Sequence, residues 1–459
     1  MTKNLHFYRI QTVMRAASGL ASACLLSVFL THGVSFAQAS EPSASETMTI
    51  SEGVAIAVSD ENRIVKIAAQ SVNISERETD IAAAPLLPSV NAEISQGYLQ
   101  HTPTAMFGSM QVPMGNRDSL SYTISARQTI FDFGASISRY RASLSTLDAV
   151  KYDYERTKNL IVLEFIVGCY DTLEFEKLVA VSQAETERFQ SHLKVARSLF
   201  KEGVITKNDL LQAEVKLADA KQRHLSLKNM LAVSVSKLNN ILSRPLKTQL
   251  HIIDDPESPV TDMSVEHFWK IAEKQRLEIK IMDKQLQALS FHEKSKTAAF
   301  FPSFYVQGGY NYTQNDYQVY EGNWALIAGV SVNLFNGGST RAEVSKLKLM
   351  TEKLSEERKK LIDNIRLDVQ KYYLNMKSAE EKISVLKDST QQATENLRIN
   401  KIRYEQGQGT ATDVLDAITL LTNAETNYFS ALYDLKRASA GLMYLSGADM
   451  AEVFKKKIL

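Results

Sequence analysis

Phe200-Lys-Glu-Gly203-Val-Ile-Thr206-Lys-Asn-Asp209-Leu-Leu211-Gln-Ala213 returns later in the chain as Tyr404-Glu-Gln-Gly407-Gln-Gly-Thr410-Ala-Thr-Asp413-Val-Leu415-Asp-Ala417. Gly, Thr, Asp, Leu and Ala coincide at an offset of 204, which also pairs Phe131 with Phe335, Gly134 with Gly338, Ala220 with Ala424 and Leu238 with Leu442. Upstream the offset becomes 214, pairing Glu52 with Glu266, Ala84 with Ala298 and Pro88-Ser89 with Pro302-Ser303. Two constant offsets around one indel mean that the chain is written twice. The indel falls between the proline and the Phe-x-x-Gly step, where a loop must tolerate it.

Most of each copy reads as helix. Ser136 to Phe200 holds no proline and only Gly168 over 65 residues, and Thr340 to Tyr404 has the same length with neither residue. At 1.5 Å per residue each would reach ~98 Å. After the glycine turn a returning helix follows, Lys207 to Ser243 or Ala411 to Ser446, only about half as long. Glu52 to Ala84 and Glu266 to Ala298, 33 residues each, supply the missing length if stacked end to end on the returns. Thr49-x-x-Glu52 has the form of a capping box opening the first of them. Leu210, Leu211, Val215, Leu217 and Leu225, like Val414, Leu415, Ile418, Leu421 and Leu432, are spaced as in a coiled coil.

The interval with the indel alternates with period two. Leu120, Tyr122, Ile124 and Ala126 share one face, with Ser119, Ser121, Thr123, Ser125 and Arg127 on the other. Val90, Ala92 and Ile94 alternate with Asn91, Glu93 and Ser95. In the second copy Phe304, Val306, Tyr310 and Tyr312, then Trp324, Leu326, Ala328, Val330 and Val332, behave alike. Strands of ~9–11 residues with one apolar and one polar face suit a membrane barrel; a hairpin with one solvated face is the alternative. The connecting loops, Leu99 to Asp118 and Gln314 to Gly322, read as polar. Bilayer barrels begin at about eight strands, so four per chain require several subunits to pool theirs.

The expected organisation is a signal peptide over 1–37, a first repeat over 38–244, a linker over 245–262, a second repeat over 263–447 and a tail over 448–459. The β-hairpins lie at about 88–131 and 302–335, and the tips near 203 and 407. The signal rests on Lys3, Arg9 and Arg15, the short apolar core Ala16 to Leu30, and small residues around Ala37 and Ala39. Its removal takes the formal charge from +1 to −2, no footprint for nucleic acid. Cys24 sits in a poor lipobox, and the mature chain keeps only Cys169, so no internal disulfide is possible.

These residues resemble the TolC-like outer membrane factors of Gram-negative bacteria over nearly the whole mature chain. The resemblance rests on Tyr404-x-x-Gly407-x-x-Thr410-x-x-Asp413-Val-Leu-Asp416-Ala417, its weaker first-copy version ending at Asp209, the Pro88-Ser89 and Pro302-Ser303 steps, and the exits Gln128-x-x-Phe131-Asp-Phe-Gly134 and Asn333-Leu-Phe335-Asn-Gly-Gly338. It implies an α+β membrane protein. In a homotrimer, a twelve-stranded barrel in outer-membrane lipid continues as a long periplasmic helical barrel. A periplasmic adaptor and an inner-membrane ABC or RND-type pump dock at its closed tip. The implied function is export of small molecules or proteins, in multidrug efflux or type I secretion.

The resemblance places an acidic ring at the tunnel mouth on Asp413 and Asp416, three residues apart on one helix face. Such a ring would favour cations, and crowding would raise some of its pKa values. It also assigns Asp209 and Tyr404, with Thr206 and Thr410, to the network that holds the tip shut around the turns Gly203, Gly407 and Gly409. A second reading stands beside this one. Thr206-x-x-Asp209 and Thr410-x-x-Asp413 are also N-cap pairs, and Tyr404 could simply pack at a helix end. The family often has Arg where this chain has Gly409, so a cationic lock at that position is missing.

No catalytic, cofactor or metal residues are expected. The histidines are scattered, with no H-E-x-x-H, no cysteine cluster and no G-x-x-x-x-G-K-[ST] loop, so energy must come from a partner. The rival function is a soluble periplasmic coiled-coil adaptor or scaffold.

Overall fold

The computed structural model describes residues 46–254 and 263–455. The expected signal peptide, the end of the linker and the last four residues lie outside them. In chain order the elements are β1 (Glu46–Thr49), α1 (Ile50–Ala57), α2 (Arg63–Ala83), β2 (Ser89–Tyr98), β3 (Thr104–Phe107), β4 (Met110–Pro113), β5 (Asp118–Phe131), α3 (Ala135–Lys201) and α4 (Lys207–Ile241). Then follow β6 (Leu250–Ile253), α5 (Val265–Gln275), α6 (Leu277–Thr297), β7 (Ser303–Thr313), β8 (Gly322–Ser331), α7 (Ser339–Glu405), α8 (Ala411–Leu445) and α9 (Met450–Lys455).

The long helices α3 and α7 have 67 residues each, about 100 Å of rod. Each starts from a left-handed pair of residues that swings the chain from strand into helix. In the second copy both are glycines, Gly337 (φ +68°) and Gly338 (φ +83°). In the first, Phe133 takes φ +52° ahead of Gly134, a strain of about 1–2 kcal/mol for a residue with a Cβ. Its ring stacks on Phe301 at 4.8 Å and leans on Phe131 at 4.8 Å, which holds it there. Asp132 accepts from the N–H groups of Gly134 and Ser136 (3.2 and 2.8 Å), occupying donors that a helix start leaves open.

The upstream helices are not continuous rods of 33 residues. The Thr49–Glu52 capping box forms, but α1 ends after eight residues and packs sideways on the middle of α3. Gly53 makes this possible: a Cβ there would sit 2.0 Å from Phe165 Cζ. Asn62 then caps α2 through Ile64 N–H and donates from Nδ2 to the Ile241 carbonyl at 2.7 Å. The end of α4 and the start of α2 thus meet, so the expected stacking occurs with 21 residues of α2. In the second copy the break falls at Arg276, whose extended backbone separates α5 from α6 and whose guanidinium bonds Glu278 and covers Tyr444 at 5.0 Å.

The strand order is β2-β5-β7-β8, antiparallel throughout, leaving β2 and β8 as edges. Register keeps the faces apart. Ile94 opposes Tyr122, Ile124 opposes Tyr310, and Tyr310 opposes Trp324 on one face. On the other, Thr123 donates to Asn311 Oδ1 at 2.5 Å and Ser121 to Thr313 at 3.2 Å. The apolar face is bare: Trp324 and Leu326 are 81% exposed and Ile94 77%. No helix among the described residues is long and apolar enough to cross a membrane.

The 99–118 loop departs from the polar stretch expected. It folds as the hairpin β3–β4, turning at Gly108 (φ +64°) and exposing Met106, Phe107 and Met110. The second loop ties it down through Asn315 Nδ2, which donates to the Met114 carbonyl at 3.2 Å.

The linker also holds structure. Its strand β6 pairs in parallel with β1, Glu46 opposite Leu250 and Thr49 opposite Ile253. Met48, Val54, Phe165, Ile252 and Met450 share one buried cluster there, so α9 in the expected tail belongs to this belt. Lys436 and Tyr433 on α8 both donate to Asp254 just after β6, at 2.6 and 3.1 Å.

Candidate functional site

The tips are built alike because glycine and threonine solve two problems in sequence. A helix end leaves carbonyls open, and a left-handed residue lets the chain turn back over them. Gly203 (φ +74°) does this for α3: its N–H donates to the Phe200 carbonyl and that of Val204 to Leu199. Gly407 (φ +72°) repeats the pattern with Tyr404 and Arg403. Three residues later Thr206 and Thr410 start the returning helices. Each hydroxyl accepts from the N–H of Asp209 or Asp413, whose carboxylate accepts from the threonine N–H at 3.0 or 2.9 Å. The two expected N-cap pairs are therefore real capping boxes.

Capping does not bury Asp413. It remains exposed, as does Asp416 three residues on, and Leu420 continues the same bare face. The Thr410 N–H, then its hydroxyl, hold the Asp413 carboxyl below the usual aspartate value, and Arg403 adds to this. Arg403 bears on the missing lock: its guanidinium donates to the Gln408 carbonyl at 3.4 Å. A cation thus stands beside the turn although Gly409 carries none.

Tyr404 packs at the end of α7, as the second reading has it. It is 4% exposed and joins Phe189, Leu193, Ala213, Val414 and Ile418 in a cluster that fastens one hairpin to the other. Burial, then the charge of Asp209, push its hydroxyl pKa up. Its OH has no hydrogen-bond partner, so the structure does not join it to Asp209.

Three contributors carry no repeat signal. His192 on α3 is 5% exposed with its ring centroid 5.1 Å from that of Tyr404, and burial lowers its pKa to about 4. Arg188 on α3 and Glu425 on α8 form a paired ion bond between the hairpins. A charged residue turned toward a neighbouring helix looks like a solvated one in the linear pattern. Of the three, only Glu425 stands beside a named coiled-coil position, four residues after Leu421. Among the described residues no cluster of His, Cys, Asp and Glu could hold a metal.

A sequence profile described as "Outer membrane efflux protein" matches residues 58–244 and 270–448. Nodulation protein T of Rhizobium leguminosarum bv. trifolii is 21% identical over 403 residues, covering 86% of this chain and 85% of its own. Outer membrane protein TolC of Vibrio cholerae is 21% identical over 381 residues, 81% of this chain and 84% of its own. The Campylobacter jejuni CmeC outer membrane channel superposes with a TM-score of 0.76 at 16% identity, over 93% of this chain and 94% of its own.

Proposed function

The chain belongs to the outer membrane efflux protein family, and we propose that three copies form a closed duct through the outer membrane and periplasm. The observation that carries this is the four-stranded sheet with an apolar outer face and two free edges. An open edge cannot sit in lipid, and bilayer barrels begin at about eight strands. The helices agree. On one flank, where α2 and α4 lie against α3, Ile67, Ile74 and Ile81 recur every seven residues in the open, and Leu211, Val215 and Leu225 extend the stripe. On the other flank α7 exposes Leu367 and Leu374. Unlike faces that bind head to tail close into a ring when the rotation between copies closes.

In this reading residues 38–244 and 263–447 are two repeats of one wall unit, and the capped tips form the periplasmic mouth. Asp413 and Asp416 line that mouth and select cations. Thr206, Asp209, Tyr404 and Thr410 hold it shut around Gly203, Gly407 and Gly409. The chain has no nucleotide loop, so a periplasmic adaptor and an inner-membrane ABC or RND-type pump would supply energy and cargo, whether small molecules or secreted proteins.

The test is reconstitution of the mature protein in planar bilayers. Cation-selective conductance is expected, with selectivity lost in the Asp413→Ala, Asp416→Ala double variant. Absence of conductance, or recovery in the soluble periplasmic fraction, would return the reading to an adaptor or scaffold. Selectivity unchanged by the double variant would remove the ring.

A further inference from the structure

Just short of the tips, α3, α7 and α8 enclose a cleft of about 320 Å³. Val195, Leu397, Val414 and Ile418 give it apolar walls. Two polar groups line it from different hairpins, His192 from α3 and Tyr404 from α7, both more than nine-tenths buried. Neither His192 Nε2 nor the Tyr404 hydroxyl has a hydrogen-bond partner. A buried polar group left unpaired costs about 1–3 kcal/mol. Two such groups beside one space mark where a single polar atom of a ligand would be held twice.

The surroundings define that ligand further. Glu187, Glu405, Arg188 and Lys401 stand at the rim, and because Arg188 is already committed to Glu425, the rim is left with a net negative charge. The rim repels an anion, and the apolar walls offer an ion of either sign no solvation. The volume lies at the lower end of the ~300–1,000 Å³ typical of small-molecule clefts, enough for a fused pair of rings. We propose that this cleft binds a small uncharged aromatic alcohol, its rings between the apolar walls and its hydroxyl shared by His192 and Tyr404. Such a molecule touches both hairpins at once, in the wall of the rod.

The probe is 2-naphthol, titrated calorimetrically into the full-length protein in detergent. The His192→Leu, Tyr404→Phe double variant in the same detergent gives the blank for partition into micelles. One saturable site per chain is expected, weakened roughly tenfold by either single substitution, the size of one good hydrogen bond. 2-Methoxynaphthalene, which cannot donate, should bind the wild type about tenfold more weakly and match 2-naphthol in the double variant. Leu397→Trp, at a half-buried wall position, fills the cleft with both polar groups kept and should abolish the site. No saturable binding to the wild type, equal binding to the double variant, or binding that survives Leu397→Trp overturns the assignment.

Discussion

Arg188 on α3 grips Glu425 on α8 through two parallel hydrogen bonds of 3.0 and 2.9 Å, and the side chains are only 26% and 20% exposed. The pair fastens the first helical hairpin to the second near the tips. Forked guanidinium–carboxylate bonds are stronger than single ones. A double-mutant cycle with Arg188→Gln and Glu425→Gln should return a coupling of about 1–3 kcal/mol in thermal unfolding. Strictly additive losses would mean that the link contributes nothing.

Asp413 caps α8 and is proposed to line the mouth, and substitution separates the two roles. Thr410→Val removes the cap and should cost about 1 kcal/mol of local stability, seen as faster amide exchange in the first turn of α8. Thr410→Ser should not. Asp416 lies beyond the cap, so Asp416→Asn should leave exchange unchanged while reducing cation preference in bilayers. The folded Asp413 pKa lies below its ordinary value, so its capping contribution is present above the ordinary aspartate range. That contribution should fade as pH falls through the lowered pKa. Protection that rises on acidification would contradict this.

His192 should make the tip acid-sensitive. Its folded pKa of about 4 lies below the ordinary value of 6.5, so between them the unfolded chain binds the extra proton. Stability is therefore complete above pH 6.5 and declines as pH falls toward 4, by at most about 3 kcal/mol per chain. His192→Phe should flatten this part of a stability–pH curve. An unchanged curve in that variant would assign the acid response to other groups.

Gly53 fixes where α1 sits. Gly53→Ala drives a Cβ into the fully buried ring of Phe165 and should cost about 1–3 kcal/mol by overpacking. Phe165→Leu in the same chain should recover part of the loss in thermal unfolding. A neutral Gly53→Ala would mean that α1 does not lie against α3.

The repeat made the long helices, both tip turns and the four strands legible, because each rests on local chemistry: glycine at a left-handed residue, threonine at an N-cap, alternation along a strand. What escaped depends on partners distant in sequence. Strands β1 and β6 have four residues each and pair across about 200 positions, so neither has a periodicity long enough to notice. The breaks, residues 58–62 in the first copy and Arg276 in the second, interrupt helix-forming stretches; the Asn62 cap is local, but its bond to the Ile241 carbonyl reaches across 179 positions. At the tips Thr206, Asp209, Thr410 and Asp413 were legible as caps. His192, Arg188 and Glu425 were not, since their roles arise from the packing of α3 on α7 and α8.

Within one chain the seam between β5 and β7 joins the last strand of the first copy to the first strand of the second. In the proposed ring of copies, β8 set against β2 of the next molecule would repeat that relation. Carried across by the two offsets, the Arg127–Gln307 pairing becomes Ser331 opposite Glu93 of the neighbour. Ile124 opposite Tyr310 becomes Ala328 opposite Gln96. Both derived pairs keep their residues on matching faces of the sheet. The duplicated chain thus carries within itself a worked copy of the joint that the proposed ring would use.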